Sequence, residues 1–352
     1  MITRREALRR GLGTAAALSA LPLLEACAPS GVTPVATATA SAAAATAAPT
    51  LPPPETTSIA LSAGACDSAI FASEKYLREE GFTDVKISDK PIYAEITAGN
   101  AQIGGSFPNA YFNAVENAPK VVSLGGLHPG CAEVWAQPGI ASVKDLKGRT
   151  ITVTAKALAN NQYFYLALLL EQAGMDVKDV NFVVQADADV LKAYLDGKSD
   201  AVFVATTGAA ALKTNPANKG KMINSQVMDQ PWASTLCCFI VASEPWYRAN
   251  PVAARRAMRA IYRTADTLPA DRGDAVKAAT DKGLFGGAAG AANVREAANM
   301  VPLDWRSYDP EKAVRFYAPL TTSAGLLKTS ADDLVKTLDL KIFKDLSTEL
   351  RK

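Results

Sequence analysis

The chain has 352 residues, 49% hydrophobic and 20% charged, which is enough apolar material for two modest globular domains and too much for a disordered chain. The formal net charge of +2 sits in the first 26 residues, which carry four Arg and two Glu. The remainder is neutral, which argues against nucleic acid as a partner, because neutralising phosphates takes a basic surplus or stripe.

The chain opens MITRREALRRGLGTAAALSALPLLEACAPS. A basic front, an apolar run over 11–24 and small residues before Cys27 make 1–26 an export signal rather than part of the fold. Thr3-Arg4-Arg5 followed by Leu8 and Arg9 resembles a twin-arginine signal, with Ala7 in place of the usual aromatic. Leu24-Glu25-Ala26-Cys27 resembles a lipobox, with Glu25 atypical. The two resemblances imply cleavage after residue 26 and a lipid on Cys27; a plain signal cut would leave a free thiol there. From 28 to 57 the chain is mostly Ala, Thr and Pro with no charge before Glu55. Such a segment cannot bury enough surface to fold, so 27–57 is expected to be a tether reaching roughly 30 Å from a membrane anchor.

The folded part is expected to begin with a strand at 58–61, a loop at 62–67 and an amphipathic helix at 68–80, ended by Gly81. DVKIS predicts a second strand, and 93–106 a short helix, a turn and a third strand. Ser106 caps, and Pro108 starts, a helix reaching 118. KVVSLGGL predicts a fourth strand. In 125–161, GGLHPGCAEVWAQPGIASVKDLKGRTITVTAKALANN, two apolar runs flank a Pro-Gly break, and an Asn pair precedes a long apolar helix at 162–173. Here the chain is expected to leave one α/β lobe and start another. NFVVQ, a helix at 189–195, DAVFVA, a short helix at 208–213 and KMINS continue the alternation, and STLCCFIV returns the chain to the first lobe. After Pro245 only helices are expected: one long helix over WYRANPVAARRAMRAIYRTADTL, then 291–300, 310–321 and 331–338, all behind the first lobe. The stretch 283–292, GLFGGAAGAA, reads as a loose loop. The alternation predicts an α/β fold of two lobes, each a mostly parallel sheet flanked by helices, plus a helical C-terminal tail. The first lobe takes 58–135 and 237–352, the second 136–236.

Beyond Cys27 four cysteines remain, Cys66, Cys131, Cys237 and Cys238. Export permits disulfides; buried small hydrophobes are the other reading. If Cys237 and Cys238 lie in a strand they point to opposite faces, so at most one reaches Cys66 or Cys131 easily. With one His and no CxxC spacing, neither a zinc site of the usual Cys/His kind nor any other metal or cofactor is expected. A Ser-His-Asp triad would need His128, and no Gly-x-Ser-x-Gly elbow is present, so no catalytic residue is assigned.

Six phrases in order, EEGFTDVKI, LHPGCAEVWA, SVKDLKGRTITV, YLDGKSDAVFV, NPVAARRAMRAI and DWRSYDPEKAVRFYAPL, make the chain from residue 58 onward similar to one group of ABC-importer binding proteins. It is the nitrate/sulfonate/taurine group, which includes thiamine-pyrimidine-precursor binders. Thr206-Thr207 and the 283–292 stretch depart from it. The resemblance implies a type II periplasmic-binding fold, a small-molecule ligand between the lobes, a permease partner in the membrane, no cofactor, and a monomer. Two alternatives remain: a thiamine-pyrimidine-synthase-like enzyme, which LCCFI partly echoes, and the ligand-binding partner of a sensor.

In open parallel sheets ligands sit beyond the carboxyl ends of strands. That rule selects the loops 62–67, 106–109, 128–131, 154–161 and 205–208. The candidate contacts are Asp67, Ser106, Phe107, Asn109, His128, Lys156, Asn160, Asn161, Thr206 and Thr207, with Trp232 as an aromatic wall. Asp67 and the Asn pair are equally good helix caps, His128 a good structural hydrogen-bonder, and Lys156 a good solvent-exposed cation. These loops hold no Arg, and Lys156 is their one cation. That suits a small organic ligand with at most one negative charge and an apolar part, such as a sulfonate, a carboxylate or a pyrimidine.

Overall fold

Short apolar runs cannot stand alone as strands, and here they pair into two five-stranded sheets among the described residues. The computed structural model describes residues 51–351 except 118 and 119. The export signal, the lipidation at Cys27 and the tether as far as residue 50 lie outside the described residues.

In chain order the strands are β1 (Ser58–Ser62), β2 (Asp84–Ser88), β3 (Ile103–Ser106), β4 (Val121–Gly126), β5 (Ala132–Ala136), β6 (Thr150–Val153), β7 (Asn181–Val184), β8 (Ala201–Ala205), β9 (Lys221–Ser225) and β10 (Phe239–Ser243). The first sheet has the order β2-β1-β3-β10-β4 and the second β7-β6-β8-β5-β9. β1 pairs parallel with β2 and β3, and β6 with β7 and β8. The return strand β10 runs antiparallel between β3 and β4, and β5 antiparallel between β8 and β9. β5 therefore belongs wholly to the second sheet. The crossing lies at 127–131, ahead of the boundary expected at 135, because the Pro-Gly break at 138–139 is a turn within the second lobe.

The crossing and the return are bound to each other. Leu127 N–H donates to the Cys238 carbonyl at 2.9 Å, and the N–H groups of Cys237 and Cys238 share the His128 carbonyl at 3.0 and 3.2 Å. Cys237 and Cys238 precede β10 instead of lying in it. The opposite-face expectation holds only within a strand and so does not apply here; of the two, Cys238 reaches Cys66, with the sulfurs 4.0 Å apart. All four cysteines among the described residues are free and buried.

Helices α1 (Ser68–Phe71), α2 (Glu74–Glu79), α3 (Ile92–Thr97) and α4 (Pro108–Asn117) flank the first sheet, and α5 (Asn161–Gln172), α6 (Asp187–Leu195) and α7 (Thr206–Thr214) the second. The single helix expected over 68–80 is broken in two where the Ser73 hydroxyl donates to the Ile70 carbonyl at 2.7 Å, a side-chain bond that competes with helix continuation. The tail is α8 (Glu244–Ala249), α9 (Pro251–Thr267), α10 (Gly273–Asp281), α11 (Gly287–Met300), α12 (Pro310–Ser323), α13 (Ala331–Val335) and α14 (Lys341–Glu349). Pro251 splits the long helix expected there into α8 and α9, since its ring starts a helix but cannot continue one. The expected loose loop becomes the start of α11, because its alanines favour helix and α7 and α10 pack against it.

The tail covers both lobes, not the first alone. α9 packs on α1 and α2, but α11 packs on α7 and α12 on α5. α5 shows why. From Tyr163 to Leu170 every residue is buried. A helix that is apolar all round needs cover on every side. The second sheet supplies one side and α12 another; each buried Leu contributes about 1.5–3 kcal/mol relative to exposure.

Candidate functional site

The loops of the two sheets converge on a cavity of about 860 Å³. The first sheet contributes Ser62, Asp67, Ser106 and Phe107, and the second Thr154, Asn160, Asn161 and Thr207. The walls are held from behind. Ser62 Oγ donates to the Lys90 carbonyl at 2.5 Å, and the hydroxyls of Tyr93 and Ser106 are 2.7 Å apart. Burial pushes the Tyr93 phenol up, so it stays protonated. Asn160 caps α5, its Oδ1 accepting from Tyr163 N–H at 2.8 Å while its amide donates to the Thr154 hydroxyl.

Of the residues expected from the sequence, Asp67, Ser106, Phe107, Asn160, Asn161 and Thr207 line this cavity. Asn109, His128, Lys156, Thr206 and Trp232 do not. Asn109 is buried, and its amide donates to the Leu158 carbonyl at 3.1 Å, a bond from α4 in the first lobe to the loop before α5 in the second. Thr206 is buried at the start of α7, with its N–H on the Cys131 carbonyl at 3.1 Å. Lys156 is solvent-exposed. Trp232 is 1% exposed and sits edge-on to Tyr165 and Phe316, in the core. The sequence reading missed Asp89 and Lys90, both at the rim, and Tyr93 and Gln162. Lys90 follows β2, so the strand-end rule, applied to that strand as well, selects it.

Asp67, His128 and two cysteines meet at the cavity floor. Asp67 precedes α1 but does not cap it; its Oδ2 accepts from Gly64 N–H at 2.8 Å and its Oδ1 lies 3.3 Å from His128 Nε2. Gly105 makes room for this carboxylate, since a Cβ there would lie 2.1 Å from Oδ2. Cys66 and Cys238 bring their sulfurs to 4.0 Å. Burial and the neighbouring Cys66 push the Asp67 carboxyl up. Burial alone would lower His128, but hydrogen bonds to Asp67 and Cys66 outweigh it and hold the imidazole well above its usual range. Hydrogen bonds with Cys131 and Cys238 hold the Cys66 thiol well below the usual thiol range despite burial.

A model of the family described as NMT1/THI5 like matches residues 69–274. The chain belongs to the NMT1/THI5-like family. No curated protein matches it by sequence. The alkanesulfonate-binding protein SsuA from Xanthomonas axonopodis pv. citri, bound to MOPS, is 16% identical, with a TM-score of 0.61 over 81% of this chain and 99% of its own. The periplasmic nitrate-binding protein NrtA from Synechocystis PCC 6803 is 13% identical, with a TM-score of 0.66 over 85% and 90%. The periplasmic aliphatic sulphonate binding protein SsuA from Escherichia coli is 14% identical, with a TM-score of 0.62 over 83% and 99%. This NMT1/THI5-like chain therefore has the periplasmic-binding-protein fold, with a helical C-terminal region.

Proposed function

We propose that this protein is an extracytoplasmic solute-binding lipoprotein of an ABC importer, which captures a small organic solute between its lobes and hands it to a permease. The observation that carries the reading is the cavity itself: loops from both sheets line it, so a ligand there touches both lobes at once. The fold shared with nitrate- and sulfonate-binding proteins supports the same class of function. No described helix is long and apolar enough to cross a membrane. A lipid on Cys27 is the anchor in this reading.

The lining charges narrow the ligand. Among the described lining residues are three carboxylates, Asp67, Asp89 and Asp187, one ammonium, Lys90, and no guanidinium. A dianion would meet repulsion without the bidentate fork that usually holds one. A neutral or singly charged solute with a flat apolar part fits better, and within the sulfonate, carboxylate and pyrimidine range this favours the pyrimidine-like end.

A thermal-shift screen of nitrate, bicarbonate, sulfate, alkyl and aryl sulfonates, carboxylates and pyrimidines tests this. At a hundredfold excess over Kd a ligand adds about 2.7 kcal/mol, enough for a melting shift of roughly 5–10 °C. Phe107→Ala and Asn161→Ala should each reduce the shift of the best hit. A screen in which only sulfate acts, unaffected by either substitution, would sink the ligand assignment. Turnover of a pyrimidine precursor by the purified protein would replace the receptor reading with an enzymatic one.

A further inference from the structure

The cluster on the cavity floor has the composition and dimensions of a metal site. Cys66 and Asp67 come from the loop before α1, His128 from the crossing and Cys238 from the return segment. Their ligand atoms lie within 4.8 Å of one another and all four residues are buried. A tetrahedral ion with metal–sulfur bonds near 2.3 Å and metal–nitrogen or –oxygen bonds near 2.0–2.1 Å sets edges of about 3.8 Å between two sulfurs and about 3.3 Å between nitrogen and oxygen. Here the Cys66 and Cys238 sulfurs are 4.0 Å apart, and His128 Nε2 and Asp67 Oδ1 are 3.3 Å apart. The remaining measured edge, Cys66 Sγ to Asp67 Oδ1, is 3.9 Å.

The ligands are also aimed. His128 Nδ1 is 2.7 Å from the Pro129 carbonyl, which can only accept, so Nδ1 carries the hydrogen. Nε2, 3.3 Å from the Asp67 carboxylate oxygen, is then the nitrogen left to share either a proton or a metal ion with it. A metal ion takes the place of that proton. A backbone carbonyl fixing the far nitrogen of a ligating His is the usual outer support of a metal site. The other Asp67 oxygen is tied to Gly64 N–H at 2.8 Å. Cys66, Asp67 and Cys238 also line the cavity, which gives an ion a way in.

We propose that Cys66, Asp67, His128 and Cys238 bind one thiophilic divalent transition-metal ion of the zinc class. Loading replaces the protons held by the imidazole and the thiols with metal–nitrogen and metal–sulfur bonds and releases them to solvent, with no change of oxidation state. The ion ties the loop before α1 to the two segments that join the lobes. This inference is independent of which solute the cavity takes.

The test is cobalt(II) titration of the full chain, purified under reducing conditions and stripped with a chelator. The expected result is one equivalent bound, with the intense visible bands of a tetrahedral ion and a thiolate-to-cobalt charge-transfer band, both bleached by zinc. Cys66→Ser and Cys238→Ser should each remove about half of the charge-transfer intensity and weaken zinc at least tenfold, in proteins whose circular dichroism stays native. Lys178→Ala, exposed and on the second lobe, should leave the spectrum unchanged. Three results would overturn the proposal: no charge-transfer band while the four thiols titrate as free, a spectrum unaltered in both serine variants, or a Cys66–Cys238 disulfide in the protein as isolated.

Discussion

Replacing Trp232 with alanine separates a core role from a cleft role. The indole is 1% exposed and packs against Tyr165 of α5 at 5.0 Å and Phe316 and Tyr317 of α12 at 5.2 and 6.0 Å between ring centroids. It locks the return segment between a helix of the second lobe and a helix of the tail. Truncating a buried Trp costs about 3–5 kcal/mol, and each lost aromatic pair belongs to that loss. The expected loss is therefore about 3–5 kcal/mol, read as a fall in urea midpoint by circular dichroism, with a melting drop of at least about 6 °C. Affinity for the best hit of the thermal-shift screen should stay within about twofold, because no atom of Trp232 lines the cavity. A loss below about 1 kcal/mol combined with tenfold weaker binding would refute this account and return Trp232 to the cleft.

Asn109→Ala removes the one hydrogen bond traced from α4 to Leu158; if that bond forms only when the lobes close, its 1–3 kcal/mol appears as roughly 5–150-fold weaker binding, measured by calorimetry. Unchanged affinity and unchanged melting together would show that the bond is not made in solution. In metal-free, reduced protein the folded state holds the His128 proton more tightly than the unfolded chain. That contribution is whole below about pH 6.5 and is lost as pH rises through the raised folded value. The depressed Cys66 thiol acts in the opposite sense, so the readout is the difference between wild type and His128→Gln in denaturation midpoints at about pH 6 and about pH 9. Wild type should lose more stability over that interval; equal losses would remove the ion pair. Labelling cells with a fatty-acid analogue should mark the wild-type protein and not Cys27→Ser, and a soluble product with a free Cys27 thiol would contradict lipidation.

Much of the fold was legible because strand and helix alternate with little ambiguity: DVKIS, TITVT and KMINS each became a strand, and Pro108 and Pro310 each opened a helix. The crossing was displaced because β5 looks the same in sequence whichever sheet it joins. The all-round apolar pattern of α5 was visible, yet nothing local says that α12 is its cover. Ser106 and Thr207, named by the strand-end rule, do line the cavity, whereas Trp232, named as an aromatic wall, lies in the core, since a lone aromatic before a strand suits a core as well as a cleft. The Cys66–Asp67–His128–Cys238 cluster was illegible for a different reason: it draws on three segments far apart in sequence, two of which, the crossing and the return, hydrogen-bond to each other.

That α12 covers α5 has a consequence for how the molecule is made. Every strand of the second sheet has been synthesised by Ser225, but the outer face of α5 stays bare until Pro310–Ser323 emerges. The N-terminal part of the chain is thus a poor candidate for folding while translation continues, and a chain stopped near residue 309 would present an apolar helix surface to its neighbours and aggregate. The last-made segment acts as a closing stitch, and the two sheets should melt in a single cooperative transition instead of one after the other.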